Sequence, residues 1–168
     1  MTATDDTAVA AGRRQQGRRR PWLVTATATA AGFVGVTAFG GGVEMLLFPH
    51  GNQFVPGAWL ADVPLIDSWV LPGLVLGVGF GVGGIATTYG LLRRPRWRAL
   101  DGVQRRTGRQ WSWLATLALG TGLAGWVLLE VAFIPQRSPI ELLYAALAAA
   151  LVVLPLQRSV REHLAQTS

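Results

Sequence analysis

The chain has 168 residues, of which 51% are hydrophobic and only 14% charged. A soluble domain averages roughly 25% charged residues, so this chain lacks the polar surface that a water-soluble fold of its size needs, and lipid is indicated as its solvent. It has no cysteine, which excludes disulfides, thiolate metal sites and cysteine nucleophiles, and its net charge of +6 is placed in a way that argues against nucleic acid.

Residues 1–20 are polar, small and charged without apolar periodicity, and they predict a disordered basic cytoplasmic tail. Four apolar stretches follow, at about 22–48, 69–92, 111–134 and 140–156. Each approaches the roughly 20 residues that a helix needs to cross a hydrocarbon core of about 30 Å. None has the period-two alternation of a membrane barrel strand. The expectation is an all-α protein: an integral membrane four-helix bundle over 21–157, with a second cytoplasmic tail at 158–168. The first stretch, preceded by arginines, is longer than the apolar core of a cleaved signal peptide, so it is expected to stay as a membrane anchor.

Orientation is read from arginine, which supplies all 15 basic residues. Arg13, Arg14, Arg18, Arg19 and Arg20 precede the first span. Arg93, Arg94, Arg96, Arg98, Arg105, Arg106 and Arg109 separate the second from the third, and Arg158 and Arg161 follow the fourth. In a four-span topology these segments share one face and hold 14 of the 15, leaving only Arg137 opposite. Cytoplasmic loops hold the excess of Lys and Arg, so both termini are expected inside. Trp22, Trp111 and Trp113 then mark cytoplasmic helix ends and Trp69 an outer one, at the headgroup level that such rings favour. Trp126, well inside the third span, reads as a packing residue. The absence of lysine resembles codon usage in high-G+C bacteria, which suggests a multi-pass protein of a bacterial cytoplasmic (inner) membrane. The stretch from Arg93 to Arg109, with Asp101 its only acid, is expected to attract anionic lipid headgroups. Nucleic-acid binding has no motif behind it.

Between the first two spans, Pro49, Gly51, Pro56, Gly57 and Pro64 predict turns, and Phe54, Val55, Trp59, Leu60 and Leu65 predict that the loop folds back on the helix ends. The second span carries Gly73, Gly77 and Gly81 at four-residue spacing, a small face on which another helix can approach closely. The alanines at 145, 146 and 148–150 make the fourth span the expected partner, with Ala118 and Gly122 a weaker stripe on the third. Ser138-Pro139-Ile140-Glu141 matches a capping box with proline at the first helical position, and makes spans three and four a tight hairpin. Pro155 is expected to kink or end the fourth span.

The run Pro64-Leu65, Leu71-Pro72-Gly73-Leu74 and Tyr89-Gly90-Leu91-Leu92-Arg93-Arg94-Pro95-Arg96-Trp97 resembles a family of small, uncharacterised, actinobacterial-type four-span integral membrane proteins. In that family an outer proline-rich segment precedes a Pro-Gly-Leu helix start. The resemblance covers about residues 22–157 and implies topology, not activity.

Ionisable groups within a bilayer are functional candidates by default. Glu130, about 19 residues into the third span, and Glu44, near the outer end of the first, lie at similar depth. They could share a proton or a cation, with Arg137 as a possible partner of Glu130. Glu141 is explained by the cap. His50 and His163 fall on opposite faces, no phosphate loop or dinucleotide motif occurs, and no base accompanies a serine. No metal, no cofactor and no enzymatic activity are therefore expected. Two functions remain: an accessory or structural protein acting through helix–helix contacts with itself or a larger complex, and a small proton- or cation-linked transporter or channel using Glu44 and Glu130.

Overall fold

The computed structural model describes residues 22–63, 66–95, 110–134, 138–157 and 160. Outside them lie the predicted N-terminal tail, the predicted C-terminal tail apart from Val160, most of the arginine-rich connection including Arg96 to Arg109, Arg137, and Pro64 and Leu65 of the first loop. The described residues form helices and turns and no strand. Four helices are long and apolar enough to cross a membrane: α1 (Trp22–Leu47), α2 (Val70–Arg93), α3 (Trp111–Phe133) and α4 (Pro139–Leu156). At 1.5 Å per residue the 18 residues of α4 reach about 27 Å, close to the hydrocarbon thickness.

Helix ends follow local chemistry. Helix α2 stops where Arg94 turns left-handed (φ 51°) and gives its N–H to the Gly90 carbonyl, and Pro95 follows, as is common just past such a cap. At the start of α4, Ser138 Oγ accepts from the Ile140 N–H at 3.3 Å, and Pro139 occupies the first turn. Pro155 stands one residue before the end of the helix, and its carbonyl accepts from Trp113 Nε1 at 3.0 Å, joining α4 to α3.

The helices pack in a ring, each against its neighbours in sequence, and α1 closes against α4. Along the α1–α2 seam the glycine face of α2 meets α1, not the α4 alanines. A Cβ on Gly42 would collide with the backbone of Gly77 and Gly73, and one on Gly84 would lie 2.7 Å from the Gly35 Cα. The complementary strip on α1 is Ala31, Gly35, Ala38 and Gly42, spaced four, three and four, all buried. Two flat strips let the backbones meet, whereas the α4 alanines have a different use. Ala148 enters the core, while Ala145, Ala146 and Ala149 face outward. On α3 the close contact is Gly120 against Leu151 of α4; Ala118 is exposed and Gly122 faces the Phe80 ring.

Residues Val75–Val82 of α2 form a π-helix, with the Gly83 N–H reaching the Val78 carbonyl. In an α-helix each four-residue step overshoots a full turn by about 40°, so Gly73, Gly77 and Gly81 would drift off one face. The wider π turn takes out part of that drift and keeps them on α1.

Ala31, Val34, Ala38, Phe80, Leu119, Leu123, Ala148 and Leu151 make the central core, and Val24, Ala28, Leu91 and Val160 a second cluster at the end away from the first loop. Buried threonine hydroxyls are satisfied within their own helices, Thr27 on Leu23 and Thr116 on Ser112, both at 2.7 Å. Thr88 Oγ1 lies between the Gly84 carbonyl and that of Ala28 across the seam, at 2.9 and 3.2 Å.

Candidate functional site

The first loop closes one end of the ring. Its base is tied by the Trp69 N–H to the Pro49 carbonyl at 2.8 Å. Gly51, at φ 101°, admits the backbone of Gly57 where any side chain would collide. A short 3₁₀ helix, Gly57–Asp62, then lays Trp59 over the helix ends. Asn52 organises the turn: its Oδ1 accepts from the Phe54 and Val55 N–H groups at 2.8 and 2.9 Å, while its Nδ2 donates to Glu44 Oε1 at 2.9 Å. Glu44 therefore holds the loop to α1.

Glu130 lies one turn before the end of α3. Trp126, four residues earlier and so on the same helical face, donates its Nε1–H to Glu130 Oε1 at 2.8 Å. The Trp126 ring is set edge-on to Phe80, with centroids 6.0 Å apart at 67°, an arrangement that aromatic quadrupoles favour. Across the short hairpin, Glu141 occupies the first turn of α4, near the positive end of the helix dipole. Its N–H donates to the Ser138 carbonyl at 3.0 Å. Among the described residues no bond returns from its carboxylate to the cap, and Ser138 Oγ takes the Ile140 N–H rather than that of Glu141, so the serine caps the helix without closing a capping box.

Instead Glu141 joins Glu130 on the wall of a cavity of ≈ 460 Å³ at the loop end of the ring. Tyr144 from α4, Ser138 at its cap, Thr37 from α1, Trp126 from α3 and Phe54 and Trp59 from the loop complete its polar and aromatic lining. A second cavity of ≈ 440 Å³ lies beside it between α2, α3 and the loop, lined by apolar side chains such as Val75, Leu129 and Phe133. Trp59, Trp126, Glu130 and Ile134 border both.

The candidate acids thus separate. Glu130 faces the cavity, Glu44 is engaged by Asn52 and is absent from the wall, and Arg137 falls outside the described residues. Gly73, Gly77 and Gly81 serve the α1–α2 seam. Sequence reasoning passed over Glu141 as a site residue, although a signal was present. Glu130 is four residues before Ile134, where α3 ends, and Glu141 three after the cap of α4, so a tight hairpin must bring them to one level.

No protein-family model, curated protein or solved structure matches this chain.

What the site can do follows from its chemistry. Two carboxylates attract positive charge, and aromatic rings on the same wall can add to that attraction through their quadrupoles. Calcium takes six to eight oxygen ligands, and among the described residues no third acid or histidine joins the pair. The lining therefore matches a proton or an organic cation better than a bare divalent ion.

Proposed function

We propose that the protein is a multi-pass protein of a bacterial cytoplasmic membrane, both termini inside, that works as a small cation-linked transporter through the Glu130–Glu141 cavity. The observation that carries this reading is the pair of carboxylates, from two apolar helices, facing one cavity. An acid within a span is unfavourable by roughly 2.5–3.5 kcal/mol at the helix centre and persists where it is compensated or useful. The 14-to-1 arginine split supports the orientation, which opens the cavity outward. Beneath it Ala38, Leu123 and Leu151 close the core, so transport requires the α3–α4 hairpin to shift on the α1–α2 pair. In proteoliposomes the wild type should move members of an organic-cation panel, and Glu130→Gln should reduce that flux at least about tenfold. No flux across the panel, or full flux in the variant, would sink the proposal.

A second reading, an accessory protein acting through helix contacts, is favoured by α4. It is the least buried of the four spans, and Leu142, Ala146, Ala149, Val153 and Leu156 form an exposed stripe at the alternating four- and three-residue spacing of a coiled-coil seam. Native mass spectrometry from lipid that found only isolated monomers would remove it.

A further inference from the structure

We infer that the Glu130–Glu141 cavity and the apolar crevice beside it form one two-part site for an amphiphilic organic cation, the head between the acids and the tail between α2 and α3. This inference rests on the cation-binding reading of the same cavity and adds to it the class of ligand and its route of entry.

The two spaces differ in chemistry and share a wall. The first offers two carboxylates, Tyr144 and the rings of Trp59 and Trp126; the second is almost wholly hydrocarbon and aromatic. Trp126 and Glu130, hydrogen-bonded to each other at 2.8 Å, stand at the junction. A cation held by Glu130 therefore has an apolar space directly beside it. Each volume falls within the roughly 300–1,000 Å³ of small-molecule sites.

The crevice exists because α2 and α3 part company. They touch along Gly83–Arg93, at the far end of the ring, and the contact thins out over the π segment Val75–Val82. At its mouth Leu71 and Val75 of α2 are 59% and 43% exposed, and Leu129 of α3 is 57% exposed. These side chains turn away from the ring, so in a bilayer the mouth opens sideways to hydrocarbon rather than to water. A groove of ≈ 540 Å³ continues from it past Phe80, Gly122 and Gly125. A Cβ added at Gly125 would meet nothing across the groove within 4 Å, and the missing side chain keeps that floor open.

Charge selects the occupant. The phosphate of a bilayer lipid would meet two carboxylates, and a hydrophilic cation would leave the crevice unfilled. An alkylammonium ion satisfies both halves: its positive head gains the acids and the ring faces, and its chain leaves hydrocarbon only for more hydrocarbon, at little cost. Such a ligand partitions into the membrane first and enters laterally.

The test measures binding of octyltrimethylammonium, tetramethylammonium and octyl glucoside to the full chain in nanodiscs, with empty nanodiscs as background. Octyltrimethylammonium should bind at least tenfold more tightly than tetramethylammonium. Ile66→Trp, which fills only the crevice side, should erase most of that ratio and leave tetramethylammonium binding unchanged; Val75→Phe serves the same purpose if the first variant loses its thermal transition. Glu130→Gln should weaken both ions about tenfold. Equal binding of the two ions overturns the tail site and leaves the head cavity standing. Failure of the wild type to bind either ion overturns both readings. Competition by octyl glucoside as strong as that by octyltrimethylammonium makes the crevice a seat for uncharged chains, and also overturns the inference.

Discussion

Glu44, Glu130 and Glu141 are the same kind of residue in three different positions. Asn52 couples the Glu44 carboxylate to the turn that it organises, so Glu44 contributes to loop order. Glu130 has one oxygen on Trp126 and its place on the cavity wall, and Glu141 faces it from the next helix. In the proteoliposome assay, Glu44→Gln should therefore retain flux within about twofold, because an amide oxygen still accepts from Asn52 Nδ2. Glu141→Gln should fall with Glu130→Gln. A Glu44→Gln variant as inactive as Glu130→Gln would place Glu44 in the site after all. The acids themselves are legible in the sequence as isolated charges in apolar spans. Which two share a cavity is not, because depth along a helix says nothing about the direction in which a side chain leaves it.

Among the elements, the α1–α2 seam carries the sharpest contrast. A side chain at Gly42 would meet backbone on α2, which cannot rotate away as a side chain can, whereas a Cβ at Gly40 or Gly79 would have nothing within 4 Å. Overpacking of a fitted interface destabilises by about 1–3 kcal/mol. Gly42→Leu should accordingly lower the thermal unfolding temperature in nanodiscs by several degrees, and Gly40→Leu and Gly79→Leu should leave it unchanged. Similar melting of all three variants would contradict the seam. The glycine spacing on α2 pointed to close packing but not to its partner. Alanine-rich α4 also offered small residues, five alanines like α1 but none of its glycines, and the choice was decided by fit. Ala31, Gly35, Ala38 and Gly42 present a continuous strip, and the π segment holds the α2 glycines opposite it.

For the molecule as a whole, the ring of four helices, closed at one end by the first loop and splayed between α2 and α3, creates both cavities. The proposed topology, both termini inside, turns the acid cavity outward and puts the arginine-rich connection in the cytoplasm. A cysteine introduced at Gln104 should then react with an impermeant maleimide only after the cells are opened, and no native cysteine competes. Labelling in intact cells would invert the topology and with it the direction in which the site opens.

The sequence by itself determined the apolar character of the long helices, their number and their limits to within a residue or two, since these depend on the length and composition of local segments. Four apolar runs bounded by Pro49, Arg94, Pro135 and Ser138 can only be helices in lipid, where each backbone N–H and C=O must find its partner within the segment. Only the tertiary structure decided that the glycine face of α2 meets α1, that Glu141 rather than Glu44 faces Glu130, and that α2 and α3 diverge beside them. Those outcomes depend on the rotation of each helix about its axis, which packing between helices sets and no single segment encodes.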